Sequence, residues 1–225
     1  MVVIVDTIDR TMDITSLAFA SGILLRENRG YDFGAWAAVI HRLAASISRC
    51  DVLAIANDSV IGPSSRFGEM LERVEASNAG VIGLVESDER RNHFQSFVLF
   101  FKRDVLKTRH FRKFWSKVRS GNRTYVIDHY ELRLKQIFEA AGSRTETLFP
   151  LAGEPGANPT LTAWDRLLDA GFPYLKLELL RSNPRGVALQ DWEQVAAANG
   201  LSPGLVQDHV LALQTVTPGP WAIDT

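Results

Sequence analysis

The sequence predicts an α/β protein, a three-layer sandwich in its first half with a mostly helical second half. Two observations carry that prediction. Short aliphatic runs at Val2 to Val5, Ile23 to Leu25, Asp51 to Ala56 and Val81 to Val85 alternate with helix-like stretches, the pattern of a sheet covered by helices. The runs are rich in β-branched residues, as strands buried within a parallel sheet are. A third observation bounds the answer. The 225 residues are 46% hydrophobic and 23% charged, enough for one large domain with a sizeable core.

The elements follow in order. Val2 to Val5 is the first strand, and a helix is expected over Ile14 to Ala20, closed by Gly22. Ile23 to Leu25 is the second strand, leading through a Gly-rich turn into a helix from Gly34 to Ser48. Asp51 to Ala56 is the third strand, closed by Asn57-Asp58-Ser59 and the loop Gly62-Pro63-Ser64-Ser65. Phe67, Met70, Leu71 and Val74 then recur at helical spacing over Arg66 to Ala76, and Val81 to Val85 is the fourth strand.

The apolar run Phe94 to Phe101 has a strand's length. An aromatic helix is expected around Phe111, Phe114, Trp115 and Val118, and Ser120-Gly121-Asn122 makes a turn. An amphipathic helix from Asp128 to Ala141 ends at Gly142. After a Gly/Pro loop at 153 to 159, helices cover Leu161 to Ala170 and Trp192 to Asn199, with an apolar element at Tyr174 to Leu180 between them. The domain is expected to run over residues 1–214, followed by a loose Pro/Gly-rich tail at 215–225.

Composition excludes several classes. With 25 basic and 26 acidic residues the net charge is −1, which gives no electrostatic footprint for nucleic acid. Cys50 is the single cysteine, so no internal disulfide forms and a reducing compartment suits the chain. The run Met1 to Val5 is too short for a signal peptide, and no apolar run reaches the roughly 20 residues of a membrane span. A cytoplasmic protein is expected.

Five stretches could carry chemistry. In Asn28-Arg29-Gly30-Tyr31-Asp32-Phe33-Gly34, Asp32 could accept hydroxyl hydrogens from a sugar or ribose, and Arg26 or Arg29 could meet a phosphate. Asp32 could equally be a helix cap, and the aromatics around it could be core. In Asn57-Asp58-Ser59, Asp58 is a carboxylate at a strand tip, where a hard cation and a diphosphate would meet; a plain turn is the alternative. His93 and Gln95 share one face of a strand end and could line an acceptor pocket. Asp128 and Glu131, three apart at an expected helix start, could serve as a general base or as the two halves of a capping box. Lys176 could reach a leaving diphosphate, or simply lay its stem along apolar surface. The third of these has no metal partner in the sequence, and no serine elbow or paired metal-binding acids support a hydrolase.

In this order, Arg26-Glu27-Asn28 with Gly30 to Trp36, Asn57-Asp58-Ser59 with Gly62-Pro63, His93-Phe94-Gln95-Ser96-Phe97, Tyr130-Glu131, Asn158-Pro159-Thr160 and Gly171 to Lys176 resemble the rhamnan synthesis protein F family. These are glycosyltransferases of bacterial surface polysaccharide assembly. The resemblance implies a GT-A-type, Rossmann-like sheet that binds a nucleotide-sugar at its strand tips. A GT-A domain opens with a strand and helix, whereas one strand precedes Ile23 here, so the sheet is expected to lack its first strand-helix unit. The resemblance further implies a nucleotide-diphosphate donor such as dTDP-rhamnose and a divalent metal (Mn²⁺ or Mg²⁺) at Asp58. Arg26, Asn28, Asp32, Asn57, Asp58 and Ser59 would bind the donor, and Lys176 its phosphates. His93 and Gln95 would bind the acceptor, with Asp128 or Glu131 as the base. The acceptor would be a glycan or lipid-linked glycan of cell wall or lipopolysaccharide at the inner face of the plasma membrane, where peripheral association is compatible. The alternative is a non-catalytic glycan-binding or assembly subunit.

Overall fold

The computed structural model describes residues 1–7, 9, 11–151 and 156–215. The elements, in chain order, begin with β1 (Val2–Asp6), β2 (Gly22–Arg26), α1 (Tyr31–Arg42), α2 (Ala44–Ile47), β3 (Val52–Ala56), β4 (Val60–Ile61) and α3 (Phe67–Ala76). They continue with β5 (Val81–Gly83), β6 (Glu86–Ser87), β7 (His93–Phe94), β8 (Val98–Lys102), α4 (Arg103–Leu106), α5 (Arg109–Ser116), α6 (Arg123–Val126) and α7 (Leu132–Ala140). The rest are β9 (Thr145–Thr147), α8 (Pro159–Thr162), α9 (Trp164–Asp169), β10 (Leu175–Lys176), α10 (Leu177–Arg181), α11 (Trp192–Ala198) and α12 (Pro203–Thr215). The mixed α/β class is as expected, but the strands do not form one parallel sheet. β1 and β2 pair in parallel as a sheet of two. A four-stranded sheet runs in the order β3-β8-β5-β9.

The directions in that sheet follow from its flanking bonds. Arg103 N donates to Asp51 O and Asn57 N to Phe97 O, so β8 is antiparallel to β3. Lys102 N donates to Gly80 O and Gln95 N to Val85 O, so it is also antiparallel to β5. Val81 N donates to Arg144 O and Leu148 N to Gly83 O, which makes β9 parallel to β5. The sheet is therefore mixed. The apolar run expected as one strand over Phe94 to Phe101 is two, β7 and β8, separated by a turn at 95–97. β7 pairs with β6, and all of residues 93–100 are buried on both sides of that break. Continuous burial, not continuous strand, produced the apolar run.

The chain divides into two compact units. Unit 1 comprises residues 1–55, 79–82 and 99–146. Its core is aromatic. Phe33 and Trp36 of α1 lie with ring centres 5.2 Å apart, and Phe33 stacks on Trp115 at 6.1 Å and Tyr130 at 5.7 Å. Phe101, Phe111, Phe114 and Phe138 complete the cluster. Such ring pairs add about 0.5–1.5 kcal/mol each beyond their buried area. Phe33 and Trp36, next to the motif's glycines, are thus core residues.

The helices of unit 1 depart from expectation at their ends. The helix expected at Ile14 to Ala20 is a single 3-10 turn, Thr15–Leu17. α1 starts three residues early, at Tyr31, and ends at Arg42, with Leu43 as its C-cap. Asp32 does not cap it. Gly30, at φ 83°, holds the cap position, in the left-handed region glycine tolerates. Asp128 is not a helix start either. The Asn122 side chain accepts a hydrogen bond from Tyr125 N at 2.9 Å and caps α6. Residues Ile127–Glu131 continue as one π-helical turn into α7.

Unit 2 comprises residues 56–78, 83–98 and 147–225, of which those described form a second core. Leu161, Trp164, Leu168, Leu175, Leu179 and Leu201 pack together there. Asn158 starts this helical region: its Oδ1 accepts from Thr160 N, and Pro159 takes the first helical position, which needs no N–H. α12 was not expected from the sequence. The Gly/Pro loop expected at 153 to 159 and the tail at 215–225 fall partly or wholly outside the described residues.

Candidate functional site

Among the residues singled out in the sequence, Arg26, Asn28, Asp32, Asp128 and Glu131 belong to unit 1, and Asn57, Asp58, Ser59, His93, Gln95 and Lys176 to unit 2. Within unit 1 the Gly-rich motif is held by its own backbone. Arg26 pairs with Asp6 at 2.7 Å and donates a second bond to Arg29 O at 2.5 Å. A Cβ on Gly34 would stand 2.2 Å from Arg29 O, so this turn closes only on glycine. Arg29 pairs with Glu27 at the surface, and Asn28 is exposed. The spacing of Gly30 and Gly34 therefore reflects close backbone passage first of all.

Asp128 and Glu131 lie half-buried in the π-helical turn. Such single-turn insertions occur often at functional sites. Between them, Tyr130 points into the core, where its hydroxyl donates to Lys117 O at 3.3 Å and accepts from Arg119 N at 2.8 Å. Burial raises the Tyr130 pKa, with the Arg119 amide opposing.

Unit 2 brings together two separate sets of predicted residues. The first joins Ser59 to Lys176. The β4–β10 pairing sets Val60 opposite Lys176, and Leu177 N donates to Ser59 O at 3.0 Å. This register carries the Lys176 ammonium to 3.1 Å from Ser59 Oγ, across 117 residues of sequence. The ammonium also lies 5.4 Å from the centre of the Phe97 ring, within cation–π range. Asn57 Oδ1 accepts from Ser59 N at 3.1 Å and from Ser59 Oγ at 2.7 Å. Asp58 between them is exposed. Two crossing segments support this corner: Ser64 N donates to Pro173 O, and a Cβ on Gly62 would sit 2.7 Å from that oxygen. Burial beside them pushes the Tyr174 phenol up to about 12.

The Asn57-Asp58-Ser59 donor set does not fit a divalent ion. Asp58 is its lone carboxylate, and the oxygens of Asn57 and Ser59 are engaged with each other and with an ammonium. A divalent ion on Ser59 would stand roughly 5 Å from that ammonium, a repulsion on the order of 7 kcal/mol at an effective dielectric near 20. Among the described residues no three His, Cys, Asp or Glu side chains are grouped to hold a metal.

The second set is a buried chain of amides. His93, Gln95 and Asn158 are each less than a tenth exposed. His93 Nδ1 lies 2.8 Å from Arg91 O and must donate to it, leaving Nε2 to accept from Gln95 Nε2 at 3.4 Å. Asn158 Nδ2 donates to Gln95 Oε1 at 3.3 Å, while its Oδ1 accepts from Thr160 Oγ1 at 2.7 Å. Every bond in this series runs in one direction, so all the amide orientations are set together. His93 and Gln95 share a face as expected, but they are buried rather than open to a pocket. Asn158, their partner, was quoted in the sequence motif without a role. Its signal was an Asn-Pro-Thr that reads as a helix start.

Residues 6–219 match the family model of rhamnan synthesis protein F. The chain belongs to the rhamnan synthesis protein F family. That membership places it among polysaccharide synthesis proteins. The chain is 29% identical over 195 residues to virulence protein VirA of Vibrio anguillarum, covering 72% of this chain and 62% of the relative. It is 26% identical over 132 residues to the uncharacterized protein y4gN of Sinorhizobium fredii, covering 56% of this chain and 34% of that one. The chain thus spans under two thirds of the curated relatives it matches. No solved structure matches it. Among the described residues no helix is long and apolar enough to cross a membrane.

Proposed function

We propose that the protein takes part in transferring a deoxyhexose, such as rhamnose, from a nucleotide-diphosphate donor to a bacterial surface glycan. The observation that carries this reading is the meeting of Ser59 and Lys176 at 3.1 Å, within a family of rhamnan synthesis proteins. An ammonium beside a hydroxyl, at the end of β3, is a place where a diphosphate's charge is met. Lys176 would neutralise the departing phosphate oxygens as negative charge develops. Ser59 Oγ and the Asn57 amide would hold Lys176 and the turn in place. Asp58, exposed beside them, would accept hydroxyl hydrogens of the donor.

Because the donor set does not fit a divalent ion, the charge of the leaving group falls to Lys176 in this account, and no step runs through a metal. Asp128 and Glu131, expected as acceptor bases, and Arg26, Asn28 and Asp32, expected as donor contacts, belong to unit 1, and this reading rests on the unit 2 corner alone. What supports a GT-A-type arrangement is the polar triplet Asn57-Asp58-Ser59 directly after β3.

Calorimetric titration with dTDP-rhamnose tests the reading. Saturable binding that weakens at least tenfold in Lys176→Ala supports it. Absence of binding by the folded chain, with any nucleotide-sugar, favours a non-catalytic glycan-binding or assembly role.

A further inference from the structure

Ala157 and Pro159, the chain neighbours of Asn158, line a cavity of about 320 Å³ in unit 2. Its polar lining comes from Glu86, Asp88, Asn92 and Thr147, and Pro150 and Leu151 add apolar surface. Glu86, Asp88 and Thr147 were not singled out in the sequence, and the transfer reading above uses none of this lining. The Glu86 carboxylate is fixed at both oxygens: Thr147 Oγ1 donates to Oε1, and Asn92 Nδ2 donates to Oε2 at 2.9 Å. The same Asn92 nitrogen donates to Asp88 Oδ1 at 3.0 Å.

Three properties narrow what the cavity accepts. Its volume lies at the lower end of the roughly 300–1,000 Å³ of small-molecule pockets, which suits one sugar ring and not a whole nucleotide-sugar. Two carboxylates repel anions, so a nucleotide diphosphate, a phosphate or a uronic acid is disfavoured. The Asn92 amide lies between the two carboxylates, where a cation bridging them would have to sit. Among uncharged ligands, this lining suits a polyol. Carboxylate oxygens accept charge-assisted hydrogen bonds from hydroxyls, and a carboxylate already held at both oxygens costs little further ordering. The prolines and Leu151 offer apolar surface to ring C–H groups or a C6 methyl.

We propose that this cavity binds one neutral hexose or deoxyhexose ring, with Glu86 accepting its hydroxyl hydrogens. That the ring belongs to the glycan acceptor rests on the transfer reading; the sugar binding itself does not.

The test is saturation-transfer NMR followed by calorimetry on the full chain. The probes are methyl α-L-rhamnopyranoside and methyl α-D-glucopyranoside. The expected result is saturable binding of at least one glycoside with a millimolar dissociation constant, unchanged in 0.5 M NaCl. Affinity should fall about tenfold or more in Glu86→Gln and in Leu151→Trp, which fills the cavity and removes none of the named hydrogen bonds. Circular dichroism checks that each variant is folded, and Leu151→Trp decides the matter if Glu86→Gln is not. Failure of both glycosides to bind, equal binding by wild type and folded variants, or saturation by Ca²⁺ or glucosamine alone overturns the proposal. The same samples titrated with dTDP-rhamnose separate the two ideas. A glycoside that binds while the donor does not retires the transfer reading and keeps the cavity, and the reverse result retires the cavity alone.

Discussion

Replacing Asn158 with Ala removes two things at once from a buried place. The first is the cap of α8, where Asn158 Oδ1 accepts from Thr160 N at 3.2 Å and Thr160 Oγ1 at 2.7 Å. Loss of such a cap costs about 1 kcal/mol. The second is the donor to Gln95 Oε1. Gln95 is 7% exposed, so water does not readily replace that donor, and an unsatisfied buried acceptor costs about 1–3 kcal/mol. The expected destabilisation is about 2–4 kcal/mol, a large share of the roughly 5–15 kcal/mol that holds a typical fold. Urea unfolding at 25 °C, followed by circular dichroism, reads it as a lowered midpoint with an unchanged slope. Pairing the change with Gln95→Leu completes a cycle. The double variant should recover about 1 kcal/mol or more relative to the sum, because the stranded acceptor is gone. A change under about 0.5 kcal/mol for Asn158→Ala, or strict additivity in the cycle, would refute the buried chain of amides.

Three further outcomes follow from the same geometry. An Ala Cβ at Gly83 would lie 2.3 Å from Cδ1 of Phe94, a ring 1% exposed; Gly83→Ala should cost about 1–3 kcal/mol by overpacking, measured by the same unfolding assay. The raised Tyr174 pKa means that the folded state keeps its proton between pH 10 and about 12 while the unfolded chain loses it. Stability is then fully present below pH 10 and declines above it, by about 1–2 kcal/mol after discounting for solvent screening. Tyr174→Phe should remove that part of the alkaline loss, seen in thermal melts from pH 9 to 11.5. Nucleotide-sugar binding should be unaffected by excess EDTA and should weaken with added salt; an affinity that collapses with EDTA would contradict the reading of the Asn57-Asp58-Ser59 turn.

How much of this was legible in the sequence depends on whether the signal was local. The alternation of aliphatic runs gave β1, β2, β3 and β5 nearly to the residue, because their boundaries are local. It could not show that β1 and β2 form a sheet of their own, since pairing is a long-range choice among similar strands. The break after Phe94 was hidden because burial continues through Gln95 and Ser96. Asp128 looked like a helix start because its charge and spacing match a capping box. Asn122 does that work six residues earlier, and the π-helical turn at 127–131 has no sequence signature of its own. The site was legible by halves. Ser59 and Lys176 were each picked out as donor or phosphate residues, yet only the β4–β10 register puts them in contact. Glu86 and Thr147 were invisible, as neither sits in a recognisable motif and each takes its place from a strand end.

The most direct test of the account is an assay of sugar transfer from radiolabelled dTDP-rhamnose to glycan-bearing bacterial membranes, with wild type and Lys176→Ala compared at equal folded concentration. The account predicts label incorporation by the wild-type chain that falls at least tenfold in the variant. Equal incorporation by both, or none by a folded wild-type chain across the common nucleotide-sugars, would contradict the assignment of the Ser59–Lys176 corner to donor phosphate.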